Sequence, residues 1–390
     1  MNIFPPPKFS SKAEWLAKTI HHLAPLLNQA STLTPQSFQH DHILRFHTED
    51  EFYSYTHYRF CFPDLPEPLD YLNINVVLGT AGFLCFDQND LSGNEPRKNA
   101  TLCCSSGLSE HHHLKAYLLD HQQVILTHDK ILMGQELLIQ GSYPYFVVKG
   151  EFPNMQFELK LHISKQASWY AKTMVYDHLS LLMQYEGQIS TDGEVRSISG
   201  LGSFEFARSA TPHSLYSQHL EILDKLPIHF ATHQVINLDD QTQLLLDRVD
   251  LAGKPLLYCA HIRHSGGFCE TYSDVAFNII KYQQHPTLSP FGQYTLLPEQ
   301  FEWLIYDNNG DVHLKLMAEI HENPKFGHGL GYSAGFSYQG EYAGTLISGK
   351  GYLEYVDVVD QNEILEKFCI ESSQGLLTPP STQTSSTIIH

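Results

Sequence analysis

The chain has 390 residues, 42% of them hydrophobic, enough for two domains of ordinary size with sizeable cores. It carries 24 Lys and Arg against 43 Asp and Glu, a formal net charge of −19, which repels nucleic-acid phosphates and anionic membrane surfaces. Seven cysteines without a CxxC pair, an N-terminus (MNIFPPPKFSSKAEW) that lacks the pattern of a secretory leader, and no apolar run approaching about 18 residues predict free thiols, a cytoplasmic location and no membrane span.

Residues 1–41 read as an N-terminal extension. Ser11 is positioned to cap a helix to about Gln29, in which Trp15, Leu16, Ile20, Leu23, Leu26 and Leu27 recur at helical spacing. Pro25 is expected to kink or end it. Its polar face is not rich in Lys or Arg, so packing on the protein fits better than lying on a membrane. From His42 the period changes to two: YLNINVVLG, QVILTH, ELLIQG, YFVVKG and MQFELKLHI are short, rich in branched and aromatic residues, and bounded by Gly, Pro, Asn or Asp. Residues 87–110 form a polar insert, read as a long loop. Residues 42–210 make a first β-module and 211–228 a linker with helical spacing in SLYSQHLEILDKL. Residues 229–372 make a second β-module that contains an Ala252-Gly253-Lys254 hairpin turn and ends in a closing helix at QNEILEKFC. The tail, 373–390, has a disordered composition.

The two modules repeat one another. Tyr-x-Gly, a spacer and Ile-Ser-Gly-x-Gly-x-x-Glu-aromatic occur at Tyr185–Phe206 and again at Tyr338–Tyr355. Upstream, FELKL (Phe157 to Leu161) parallels VHLKL (Val312 to Leu316), and Gly134 to Phe146 parallels Gly292 to Trp303. The order is kept while the spacing shrinks, as expected of a duplication with shorter turns in the second copy. Many short antiparallel-type strands in two copies predict a mainly β protein of two tandem barrels, which removes exposed sheet edges. Small barrels can hold one small ligand.

In the repeated strand, alternation puts Gly200, Gly202, Phe204 and Phe206 on one face and Leu201, Ser203 and Glu205 on the other. The second copy pairs Gly349, Gly351, Leu353 and Tyr355 against Lys350, Tyr352 and Glu354. The glycines either allow a barrel corner or clear room for a ligand. Glu205 and Glu354 are either hydrogen-bond anchors needing an Arg, Tyr or backbone partner, or acids whose pKa rises in a dry pocket. Asp357 is a third candidate acid. Tyr185, Phe204, Tyr338 and Tyr352 are the candidate ligand-contacting side chains. Histidines at His40/His42, His111–His113, His229/His233 and His261/His264 lack a metal-site pattern, so neither a metal nor a cofactor is expected.

These motifs give the chain a family resemblance. LLIQGSYPYFVVKG (Leu137 to Gly150), MQFELKLHI, SISGLGSFEF and LISGKGYLEYVD (Leu346 to Asp357) resemble the duplicated lipocalin-like proteins related to bacterial carotenoid hydratases, the AttH-like proteins and, more distantly, tocopherol cyclases. Within that superfamily the chain resembles an uncharacterised bacterial family. The superfamily's opening Glu-Trp-Trp-Tyr-type strand has its best counterpart in Glu51-Phe52-Tyr53-Ser54. The resemblance implies two calycin-like barrels and an apolar ligand. It does not transfer an activity, since one fold hosts many functions. Two functions compete: binding of a lipid- or isoprenoid-like molecule in a barrel cavity or inter-domain cleft, and a hydratase or cyclase acting on an isoprenoid double bond by carboxylic acid catalysis.

Overall fold

The structure is a computed structural model and describes residues 4–368 except Asp90, Ser92, Asn94 and His121. The tail 373–390 lies outside the described residues.

The first half folds as eleven strands: β1 (Tyr55–Leu65), β2 (Asp70–Gly79), β3 (Asn99–Ser106), β4 (His112–Leu118), β5 (Val124–Thr127), β6 (Lys130–Met133), β7 (Leu137–Ser142), β8 (Tyr145–Phe152), β9 (Met155–Lys172), β10 (Tyr176–Thr191) and β11 (Glu194–Ser209). They form one antiparallel sheet in the order β4-β3-β2-β1-β11-β10-β9-β8-β7-β6-β5. The second half adds β12 (Ile228–Asn237), β13 (Thr242–Leu251), β14 (Lys254–His264), β15 (Phe268–Tyr272), β16 (Val275–Tyr282), a small β17–β18 hairpin (Thr287–Leu288, Tyr294–Thr295), β19 (Pro298–Tyr306), β20 (Val312–Ile320), β21 (Lys325–His328), β22 (Gly331–Tyr342) and β23 (Thr345–Asp357). Its sheet runs β15-β14-β13-β12-β23-β22-β20-β19-β16, with β21 on β22.

Both sheets curl into barrels around their aromatic faces. Phe60 on β1 lies 6.1 Å from Phe146 on β8, four strands away along the sheet. Phe230 on β12 lies 6.3 Å from Phe277 on β16, five strands away. Each half therefore encloses its own apolar core. The fold is mainly β, with two tandem barrel-like sheets and an N-terminal helix.

The repeated motif does the same work twice. Tyr185 pairs with Gly200 and Tyr338 with Gly349. A Cβ at Gly200 would meet the Tyr185 hydroxyl at 3.2 Å, and one at Gly349 would meet that of Tyr338 at 3.0 Å. The room cleared by these glycines is filled by the repeat's own tyrosines. The glycine of Tyr-x-Gly lets strands approach closely: a Cβ at Gly187 would sit 2.1 Å from the Glu158 carbonyl oxygen, and one at Gly340 2.0 Å from that of Lys315. Phe157–Leu161 on β9 and Val312–Leu316 on β20 lie on corresponding strands but two residues out of step, since Gly187 pairs with Leu159 and Gly340 with Leu316. The farthest upstream match is not equivalent: Gly134–Phe146 crosses from β7 into its neighbour β8, whereas Gly292–Trp303 holds β18, which pairs with β17, and the start of β19.

Several local expectations are corrected. The insert 87–110 contains β3, because Ala100, Leu102 and Cys104 alternate into the core. The linker holds two short 3-10 turns, Pro212–Ser214 and Ile222–Asp224, rather than a helix. Glu51–Ser54 precede β1 instead of forming a strand. Helix α1 (Ser11–Leu27) is capped by Ser10, whose hydroxyl accepts from the Ala13 amide at 3.2 Å, and runs through Pro25. It buries Ala13 and Ala17, small enough for close packing, and leaves Trp15 67% and Leu26 74% exposed. The Ala252-Gly253 turn forms as expected, with both φ angles positive. The closing helix (Gln361–Lys367) is capped by Asp360.

Gly187→Ala and Gly340→Ala should each lower stability by about 1–3 kcal/mol, because backbone rather than a flexible side chain must move. Gly266→Ala, where a Cβ meets nothing within 4 Å, should be near neutral. Urea unfolding midpoints of the three variants check this, and unequal costs at positions 187 and 340 would contradict the equivalence of the copies.

Candidate functional site

Two places in the molecule carry chemistry, and they lie on opposite faces of β1. Alternation on that strand sends Tyr58, Phe60 and Phe62 into the first barrel's core and Arg59 outward, against the second sheet.

On the outward side, register sets Arg59 opposite Glu205 and His233 opposite Glu354. The sheets pack together through β1, β2, β12 and β23, so these four side chains converge. Arg59, fully buried, donates one guanidinium nitrogen to Glu205 and the other to Glu354. His178 Nε2 lies 2.8 Å from Glu205 Oε1, and His328 Nε2 lies 3.2 Å from Glu354 Oε2. The Tyr352 hydroxyl donates to Glu354 at 2.8 Å. His233 faces Asp247 at 2.8 Å through Nδ1 and Glu205 at 3.6 Å through Nε2. Beside them Arg263 donates to Gln243 at 2.6 Å and to Ser203 at 3.0 Å.

The charges balance. Burial pushes the Glu205 carboxyl up, but Arg59, His233 and His178 together hold it well below the usual carboxylate range. Burial likewise raises Glu354, and Arg59, His328 and His233 outweigh it, so its pKa is lowered. Burial lowers His233, yet Asp247 and Glu205 outweigh burial and Arg59, and its net shift is upward. His57 and His261 are pushed down to about 3, mainly by burial, and stay neutral. Arg59, Arg263 and His233 thus oppose Glu205, Glu354 and Asp247. The two repeated glutamates are ionised acceptors and cannot act as proton donors at neutral pH. His57 Nε2 and the Tyr170 hydroxyl are buried beside this cluster without a hydrogen-bond partner.

Asp357 is elsewhere. It stands three residues after Glu354, an odd step that turns it to the opposite strand face, and it lies in the second barrel, where the Tyr355 hydroxyl donates to it at 3.1 Å. Burial raises its carboxyl to about 7, with Asp250 adding and Tyr355 and Arg248 opposing. Among the described residues no group of three or more His, Cys, Asp or Glu is arranged to hold a metal ion. No described helix is long and apolar enough to cross a membrane.

On the inward side of β1 a cavity of about 680 Å³ opens at one end of the first barrel. Its floor is Tyr58, Ile131, Ile139 and Phe146, and its rim includes His42, Arg45, Asp129 and Tyr143. A second opening of about 460 Å³, lined by Leu119, Val124 and Leu126, adjoins the same end. Between them lies the segment Leu44–Asp50. The His47 amide donates to the Thr56 hydroxyl at 3.0 Å, and the Arg97 guanidinium donates to the Asp50 carbonyl at 2.5 Å.

Of the predicted contact residues, Phe204 reaches the cavity's neighbourhood, 5.7 Å from Phe146. Tyr185 and Tyr338 cover glycines, and Tyr352 serves the ionic cluster. The sequence reading missed Arg59, although a lone arginine in an apolar strand (YTHYRFCF) requires a buried acid. It also missed the cavity floor, which depends on how far the sheet curls.

The sequence pattern of one family matches residues 75–367. The chain belongs to that family, a family of unknown function (DUF6670). Among the curated proteins none matches the sequence. Two solved structures share the fold of this DUF6670 member. An AttH candidate from Nitrosomonas europaea superposes with TM-score 0.59 at 13% identity, covering 83% of this chain and 98% of its own. Kievitone hydratase from Nectria haematococca superposes with TM-score 0.51 at 10% identity, covering 84% and 97%. At these identities the likeness is one of fold.

Removing the shared counter-ion should be severe. Arg59→Met leaves two carboxylates buried without it and should cost about 3–5 kcal/mol at pH 7. Both carboxyls have lowered folded pKa values, so their stabilisation is present above the ordinary glutamate pKa of about 4.3 and is lost as pH falls through the folded values. The deficit of the variant should therefore shrink below about pH 4.3, measured by denaturant unfolding across pH.

Proposed function

We propose that this protein binds an apolar small molecule, lipid- or isoprenoid-like, in the mouth of the first barrel. The observation that carries this is the 680 Å³ cavity floored by Tyr58, Ile131, Ile139 and Phe146. Its size falls in the range of about 300–1,000 Å³ typical of small-molecule sites. An apolar floor with polar groups confined to the rim suits a ligand with one polar end. Asp50, one of the acids that line the cavity, is hydrogen-bonded as an acceptor, which favours binding over acid catalysis by this group. Burial raises the Asp50 carboxyl, but the amides of Phe52 and Tyr53 and the His47 ring outweigh it and hold the carboxyl below its ordinary value.

A second reading is acid-catalysed hydration or cyclisation of an isoprenoid double bond. One observation favours it: the Asp357 carboxyl, near 7, keeps a transferable proton at neutral pH. The hydratase that shares this fold lends that reading support by analogy only. Unchanged turnover of any isoprenoid substrate by Asp357→Asn would remove it.

Ile139→Trp fills the cavity floor. It should weaken binding of a fluorescent polyene fatty acid at least about tenfold, given about 0.8 kcal/mol per excluded methylene. Glu205→Gln, on the far side of β1, should leave that affinity unchanged. Fluorescence titration reads both. Equal affinity in wild type and Ile139→Trp would overturn the assignment of the site.

A further inference from the structure

The two openings at the end of the first barrel share a wall. Phe46, Thr48 and Glu49 border both. Beneath that wall the floor is continuous: Leu126 on β5 pairs directly with Ile131 on β6, and Ile131 pairs with Ile139 on β7. Leu126 belongs to the smaller opening, whereas Ile131 and Ile139 belong to the larger. Neighbouring strands are about 4.8 Å apart, so one apolar row crosses from chamber to chamber within a span of two strands.

The dividing segment is anchored at buried His47 and is thin beside it. Phe46 is only partly buried against the core. The Asp50 amide donates to the His47 carbonyl at 3.2 Å, closing a turn whose tip is Thr48 and Glu49, and the His47 amide and the Asp50 carbonyl tie that turn to Thr56 and Arg97. Among the described residues that border both openings, Phe46 is the aromatic one, standing between two stretches of a single floor.

We propose that the two openings are one binding site divided by Phe46, and that the site selects flexible apolar chains long enough to pass under the Leu44–Asp50 segment. This rests on the binding function proposed above. A compact fused-ring molecule fills one chamber only. A linear chain can occupy the larger chamber and extend along the Ile139–Ile131–Leu126 row into the smaller. Chain length, rather than head-group chemistry, then sets affinity, and Phe46 is the specificity-determining residue.

Competition of octanoate, laurate, stearate and cholesterol against a fluorescent polyene fatty acid tests this. Wild type should bind stearate at least about tenfold more tightly than laurate, since each added methylene that becomes buried contributes. Leu126→Trp should fill the smaller chamber, bring stearate to the laurate level and leave octanoate unchanged. Phe46→Ala should widen the preference for stearate over octanoate. Equal affinities for laurate and stearate, or a Leu126→Trp variant that treats all chains as wild type does, overturn the two-chamber site while leaving the binding function intact. Tighter binding of cholesterol than stearate also overturns it. Failure of every probe to bind removes the binding function itself, and the two-chamber site with it.

Discussion

One guanidinium holds two barrels in register. Arg59 comes from the first half, and its two carboxylate partners come from equivalent positions in both halves. A buried ion pair is costly to form, because desolvation takes several kcal/mol per ion. It is tolerated here because Arg59 meets two carboxylates, and His178, His328 and the Tyr352 hydroxyl add further hydrogen-bonding partners to those carboxylates. The geometry follows: the sheets meet where Glu205 and Glu354 can both reach Arg59, and small shifts between the halves would strand a charge. The cluster thus defines how the halves dock, and the cavity's position on the reverse face of β1 follows from the same strand.

The same alternation explains the division of labour within the molecule. Tyr58 and Arg59 are adjacent in sequence, yet one faces an apolar cavity and the other a dry ionic junction. The junction uses up the repeated carboxylates as acceptors. The cavity is left with an apolar floor and a mixed polar rim. The cavity and the interdomain junction are therefore built from opposite sides of one sheet.

The duplication was legible because its residues solve one packing problem twice. The tyrosine over glycine, the close strand approach at Gly187 and Gly340, and the buried glutamates recur in register in both copies. The two-barrel fold follows from that repetition and the period-two pattern. The site was less legible. Glu205 and Glu354 could be singled out from sequence, but their partner depends on inter-sheet docking that no local pattern encodes. Helix α1 misled for a different reason: its large apolar residues suggested the buried face, whereas close packing selected Ala13 and Ala17 and turned Trp15 and Leu26 outward. Strand β3 was hidden because polar residues surround its short apolar alternation.

The halves have diverged at one telling place. Where the first half carries Arg59 opposite its glutamate, the second carries His233. The two equivalent glutamates now share one guanidinium, that of Arg59. The dependence is one-sided: the first half holds both Arg59 and Glu205, whereas the second in isolation would keep Glu354 without its guanidinium. Separating the barrels would therefore cost the second its guanidinium while leaving the first its own ion pair.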